Sequence, residues 1–96
     1  MIRHVVFFKF NPEASVAQRK EIIGDLRALP DKIDAIRTFE LGEDIMRSAR
    51  AWDFVLIATY DDLGALDVYT RHDDHVAVAM KIKDVCEAVG SVDYEY

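Results

Sequence analysis

"HVVFFKF", residues 4–10, is the stretch on which the rest of the chain turns. Its β-branched and aromatic residues favour an extended strand. Alternate side chains of a strand point to opposite faces. His4, Val6, Phe8 and Phe10 therefore share one side, and Val5, Phe7 and Lys9 the other. Both sides are mainly apolar, so both need cover. That cover has to come from the remaining residues or from a second copy of the chain.

Downstream, "NPEAS" turns the chain, and Ser15 with Gln18 three positions on makes a capping box that opens a helix to about Leu29. Ile22, Ile23, Leu26 and Leu29 supply its buried stripe, and Pro30 is expected to stop it. A second strand over residues 37–43 alternates Phe39 and Leu41 against Thr38 and Glu40, and "DIMRSAR" (44–50) reads as an exposed loop. "WDFVLIATY" (52–60) is a third strand, apolar on both faces apart from Asp53 and Thr59. Asp61 or Asp62 caps a helix carrying Leu66 and Tyr69, and the pattern stutters at "HDDH" (72–75). From Val76 a longer helix resumes, with Val78, Ala79, Ile82, Val85, Cys86 and Val89 at helical spacing, and Gly90 ends it. "SVDYEY" closes the chain as a short alternating strand.

The order β-α-β-β-α-β predicts an α+β protomer of the ferredoxin-like kind, a four-stranded antiparallel sheet with its helices on one face. The other sheet face is left bare and greasy. Stacking two sheets across a two-fold axis hides it, so a homodimer is expected.

Composition agrees with this outline. At 96 residues the chain makes one domain, residues 1–96, yet 51% of it is hydrophobic. A body this small buries only about 60–65% of its unfolded surface, so part of that apolar content has to find a partner. The net charge of −6 works against binding nucleic acid or an anionic membrane. A single cysteine, Cys86, excludes an internal disulfide framework and fits a reducing interior. The opening residues span too little apolar length for a signal or membrane helix, so a cytoplasmic location is expected.

"YTRHDDHVAV" (69–78) holds the chemistry-bearing residues. Asp73 or Asp74 suits the N-cap of the following helix, where carboxylates also meet the positive end of the helix dipole. A His-x-x-His spacing can set two imidazoles on one side of a turn. Here a helix break intervenes, and neither a third histidine nor a cysteine lies nearby in sequence, so no metal is assigned. His75 falls on the apolar stripe counted back from Val78 and Ile82, whereas His72 precedes the break. His4 lies on a strand buried on both faces, and Tyr69 sits one turn before His72. If the sheet brings His4 beneath the last helix, three polar tips meet in an apolar pocket. That arrangement suits proton abstraction beside a carbonyl, with neutral histidine as base and a second donor polarising the oxygen. Histidine's unperturbed pKa of about 6.5 keeps much of it neutral. Alternatively, His4, Tyr69 and His75 merely satisfy one another, since an unpaired buried imidazole is costly. Both readings stay open on the residues alone.

Taken together, "MIRHVVFFKF", "DFVLIATYDD", "YTRHDDHVAV" and the terminal "VDYEY" resemble the stress-responsive dimeric α/β-barrel (Dabb) family in order and spacing over nearly the whole chain. The resemblance implies a ferredoxin-like protomer and a dimer whose two sheets form a barrel. It implies less about activity. A plant branch of the family consists of polyketide cyclases that close a ring by intramolecular aldol chemistry. Its pocket-lining first-strand histidine, and the tyrosine and histidine around the second helix break, match His4, Tyr69 and His75. Two positions depart: a first-helix tyrosine of that branch is Leu26 here, and a His-Pro step reads His72-Asp73.

The expectation is a homodimer that binds a small apolar or aromatic carbonyl compound between sheet and helices, with cofactor-free cyclase- or isomerase-like chemistry. His75 would be the base, His4 and Tyr69 would orient the substrate, and Val6, Phe8, Ile23, Leu26, Leu56 and Val78 would form the wall. The rival reading is a non-catalytic stress-related dimer or higher assembly. A third, cofactor-free monooxygenase activity, rests on fold analogy and has no motif here. Cys86 reads as packing, and no phosphate loop, nucleophile elbow or Cys-x-x-Cys is present.

Overall fold

The computed structural model describes residues 1–96. Strands β1 (Ile2–Phe10), β2 (Thr38–Glu43), β3 (Phe54–Tyr60) and β4 (Cys86–Glu95) form one antiparallel sheet in the spatial order β2-β3-β1-β4. Helices α1 (Val16–Lys32), α2 (Leu63–Arg71) and α3 (Asp73–Val85) cover one face. This is the expected ferredoxin-like arrangement, with its second helix divided in two.

The two-sided apolar strand β1 lies inside the sheet, between β3 and β4. It pairs with β3, Phe8 opposite Phe54, and with β4, Phe8 opposite Val89. Paired residues share a face, so Val6, Phe8, Phe10, Phe54, Leu56, Ala58 and Tyr60 all meet the helices. Ile22, Leu26 and Leu29 of α1 and Val78, Ile82 and Val85 of α3 close over them. Phe8 stacks on Phe54 with ring centroids 4.2 Å apart. The other face carries Val5, Phe7, Val55, Ile57, Val92 and Tyr94, with no helix above it. Only Trp52, from the β2–β3 connection, leans over it against Phe7, at 6.1 Å between centroids.

That connection is exposed over residues 45–50, and Arg47 clamps it by bonding Asp44 and Asp53. Asp53 also accepts the Phe10 N–H at 2.7 Å. Burial pushes the Asp53 carboxyl up, but the Phe10 N–H and the Arg47 guanidinium outweigh it and hold it below its ordinary value.

Helix boundaries follow local chemistry in two places and depart from it in three. The Ser15–Gln18 capping box is complete, and Asp62 caps α2 through the Ala65 N–H at 2.8 Å. Pro30, expected to stop α1, lies inside its last turn, and the helix runs to Lys32. The Ile33 N–H still reaches the Leu29 carbonyl at 3.0 Å, and Ile33 is buried, so tertiary packing carries the helix past the proline. The cap of α3 is His72 rather than Asp73 or Asp74: its Nδ1 accepts the Asp74 N–H at 3.2 Å. The two aspartates fill the first turn, and the helix starts at Asp73 rather than Val76.

The largest departure is at the C-terminus. The helix expected to continue to Val89 ends at Val85, and Cys86, Val89 and Gly90 belong to β4. Cys86 opposes Phe10 and Ala88 opposes Lys9, which leaves Glu87 as the extra residue of a bulge. Pairing with β1 gives the segment backbone partners along its whole length, and this outweighs its helical spacing. No helix of the chain is long and apolar enough to cross a membrane.

Candidate active site

Between the sheet and α3 lies a cavity of about 300 Å³, walled by Val6, Phe8, Leu26, Leu56, Ala79, Ile82 and Val89. Its polar lining is His4, Tyr69, His75, Lys83 and Ser91. Each comes from a different structural necessity. β1 holds His4 on the helix-facing side beside Val6 and Phe8. Tyr69, 2% exposed, is the one buried side chain of α2. The break at His72 then starts α3, whose first turn brings the His75 ring to 4.3 Å from the Tyr69 ring. The His4 and Tyr69 centroids are 6.0 Å apart, edge to face.

The Nδ1 of His75 is 3.0 Å from the Thr70 carbonyl oxygen. A carbonyl only accepts, so Nδ1 carries the hydrogen and Nε2 keeps its lone pair. Burial pushes the His75 pKa below 6.5, with the charges of His4 and His72 acting the same way and the Thr70 bond opposing them. A neutral imidazole with a free Nε2 can take a proton.

His4 gives its Nδ1 hydrogen to the carboxylate of Asp93, its partner across the β1–β4 ladder. That bond fixes the ring and leaves Nε2 for a ligand. Burial pushes the Tyr69 phenol up to about 12, so it stays an O–H donor. Its neighbour Tyr60, with ring centroids 5.2 Å away, is fully buried, and its hydroxyl lies beside that of Tyr69 without a hydrogen bond of good geometry. Burial, before the effect of Tyr69 and Asp93, drives that phenol still further up. Cys86 is buried and pushed up to about 11 by that burial, which makes it a poor thiolate source. No three His, Cys, Asp or Glu side chains gather as a metal-ligating group.

Of the residues singled out in the sequence, His4, Tyr69, His75, Val6, Phe8, Leu26 and Leu56 face this cavity. Ile23 and Val78 do not line it. Val78 is 7% exposed and fills the core, and Ile23 packs against that core from α1. Sequence reasoning missed Asp93, Ser91, Val89 and Lys83. The first three follow from the alternation of β4, which sets Val89, Ser91 and Asp93 opposite Phe8, Val6 and His4. Reading that strand as starting only after Gly90 hid the pattern.

An antiparallel sheet with helices on one face, and a histidine-lined cavity between them, defines a ferredoxin-like α+β protein. The chain matches the family model described as the stress responsive A/B barrel domain (Dabb) over residues 2–96, and it belongs to that family. A protein of Streptomyces coelicolor described as uncharacterised is 34% identical over 79 residues, covering 80% of this chain and 81% of that one. A dimeric protein of unknown function with a ferredoxin-like fold from Bacteroides fragilis is 28% identical with a TM-score of 0.83, covering 99% and 95% of the two chains. A dimeric ferredoxin-like protein from Thermobifida fusca is 26% identical with a TM-score of 0.89, covering 99% and 90%. A hydroxynitrile lyase from Passiflora edulis is 18% identical with a TM-score of 0.87, covering 97% and 90%, and this likeness concerns the fold alone.

Proposed function

We propose that the chain is a homodimer that binds a small, mostly apolar or aromatic carbonyl compound in the cavity and performs acid-base chemistry on it without a cofactor. One observation carries this reading: a neutral, oriented His75, a phenol donor and an Asp-held His4 meet in a space otherwise walled by apolar side chains. A volume of about 300 Å³ matches a small ligand. The bare apolar sheet face, and the dimers described for the relatives at 28% and 26% identity, support the pairing of two copies.

In this reading His75 Nε2 takes a proton from the carbon beside the carbonyl. The C–H electron pair becomes the enolate double bond, and the charge that reaches the oxygen meets the Tyr69 O–H. His4 holds a hydroxyl or enol of the ligand through Nε2. The enolate carbon then either bonds to a second carbonyl carbon of the same ligand, whose oxygen takes the proton from His75, or is reprotonated elsewhere as an isomer.

A thermal-shift screen of carbonyl compounds against wild type and His75→Ala tests the reading. The expected result is a ligand turned over by wild type and lost in His75→Ala, with the assembly intact. Unchanged turnover in His75→Ala overturns the role of His75. Failure of every compound to bind favours the non-catalytic stress dimer.

A further inference from the structure

The cavity is electrostatically lopsided. The chain carries 18 Asp and Glu residues and a net charge of −6, yet no carboxylate lines the cavity. A lysine does. Lys81, two residues earlier, is engaged with Glu21 and Asp25, whereas Lys83 makes no ion pair. Ser91 lies in the same wall.

Position along α3 separates this cation from the acid-base group. His75, Ala79, Ile82 and Lys83 form one stripe of the helix facing the cavity. At 1.5 Å per residue, the backbone of Lys83 is about 12 Å beyond that of His75. The start of α3 lies beside His4 through Tyr69, and its end is tied to the far end of β1 by the Asn11 N–H bond to the Val85 carbonyl at 2.8 Å. At the His4 end the carboxylate of Asp93 is taken up by the His4 Nδ1–H, and no lysine or arginine lines the cavity there. At the other end an unpaired ammonium attracts an anion.

We infer that the ligand is an oxo acid: a carbonyl compound whose apolar body ends in a carboxylate, held at Lys83 with its carbonyl directed at Tyr69 and His75. This rests on the reading of the cavity as a carbonyl site and adds the class and orientation of its ligand. Lys83 is then a specificity-determining residue with no part in the proton transfer.

Two probes of nearly equal shape test it, ω-benzoylpentanoate and its methyl ester, titrated calorimetrically at low and high salt into the intact protein. Wild type is expected to bind the acid about fivefold more tightly than the ester at low salt, with the preference shrinking as salt rises. Lys83→Met should bind both alike, and Lys83→Glu should favour the ester. Equal binding of both by wild type, or a preference that survives in Lys83→Met, overturns the carboxylate anchor and leaves the carbonyl site standing. Binding of neither probe by wild type overturns both.

Discussion

His75 donates its Nδ1 hydrogen to the carbonyl of Thr70 across 3.0 Å, tying the first turn of α3 to the last turn of α2. The bond bridges the His72 break and selects one tautomer. A helix interruption of this kind leaves carbonyls without helical partners, and here a histidine side chain takes one of them.

Because burial lowers the His75 pKa below 6.5, the unfolded chain binds the proton more readily than the folded one. The contribution of His75 to stability is therefore complete above pH 6.5 and is lost as pH falls through its folded value. Urea midpoints of wild type and His75→Gln are expected to converge on acidification, because the glutamine variant lacks this term. Parallel pH curves for the two proteins would refute it.

Asp93 holds His4 in the Nδ1–H tautomer. Asp93→Asn can present an amide N–H to Nδ1 instead, which moves the ring hydrogen to Nε2. The nitrogen-15 shifts of His4 should report that exchange with the fold unchanged, and turnover of any substrate should drop about tenfold or more. Identical His4 shifts in the variant would remove Asp93 from the site.

The buried Tyr60 hydroxyl, whose neighbour Tyr69 offers it no hydrogen bond of good geometry, makes a stability prediction of unusual sign. Burying an unpaired hydroxyl costs about 1–3 kcal/mol, so Tyr60→Phe is expected to stabilise the protein by about 1 kcal/mol. Denaturant unfolding measures this directly. A loss of similar size would mean that the hydroxyl has a bonding partner.

Val92, on the edge strand β4, is 55% exposed on the helix-free sheet face, opposite Val5 of the inner strand β1. Val92→Asp should barely disturb the protomer but should convert the proposed dimer to monomers, seen by sedimentation at micromolar concentration. A variant that sediments like wild type would place any subunit contact elsewhere.

Local devices were legible in the residues. The Ser15–Gln18 box and the Asp62 cap are formed by neighbours within three positions, so no tertiary information is needed to find them. Pro30 misled because its usual effect is local, whereas burial of Leu29 and Ile33 extends the helix through it. Cys86 and Val89 misled for a related reason. Their spacing from Ile82 and Val85 continues a helical stripe, and only β1, far away in the chain, offers the ladder that makes them a strand. His72 was visible as a break but not as its own cap, since an imidazole accepting a backbone N–H is an uncommon substitute for a hydroxyl or carboxylate.

Alternation and helical spacing alone were enough to specify four strands, the helices between them and an apolar sheet with two sides, because each pattern records which way a side chain points relative to its own backbone. Meeting places are another matter. The bond from His4 to Asp93 spans 89 positions, and the cavity wall draws on β1, α1, β3, α2, α3 and β4. Which of these residues converge depends on strand register, on the bulge at Glu87 and on where α3 lands. Those are set by packing among segments distant in the chain, so the meeting of His4, Tyr69 and His75 at one end of the cavity, with Lys83 at the other, emerges only once the molecule is folded.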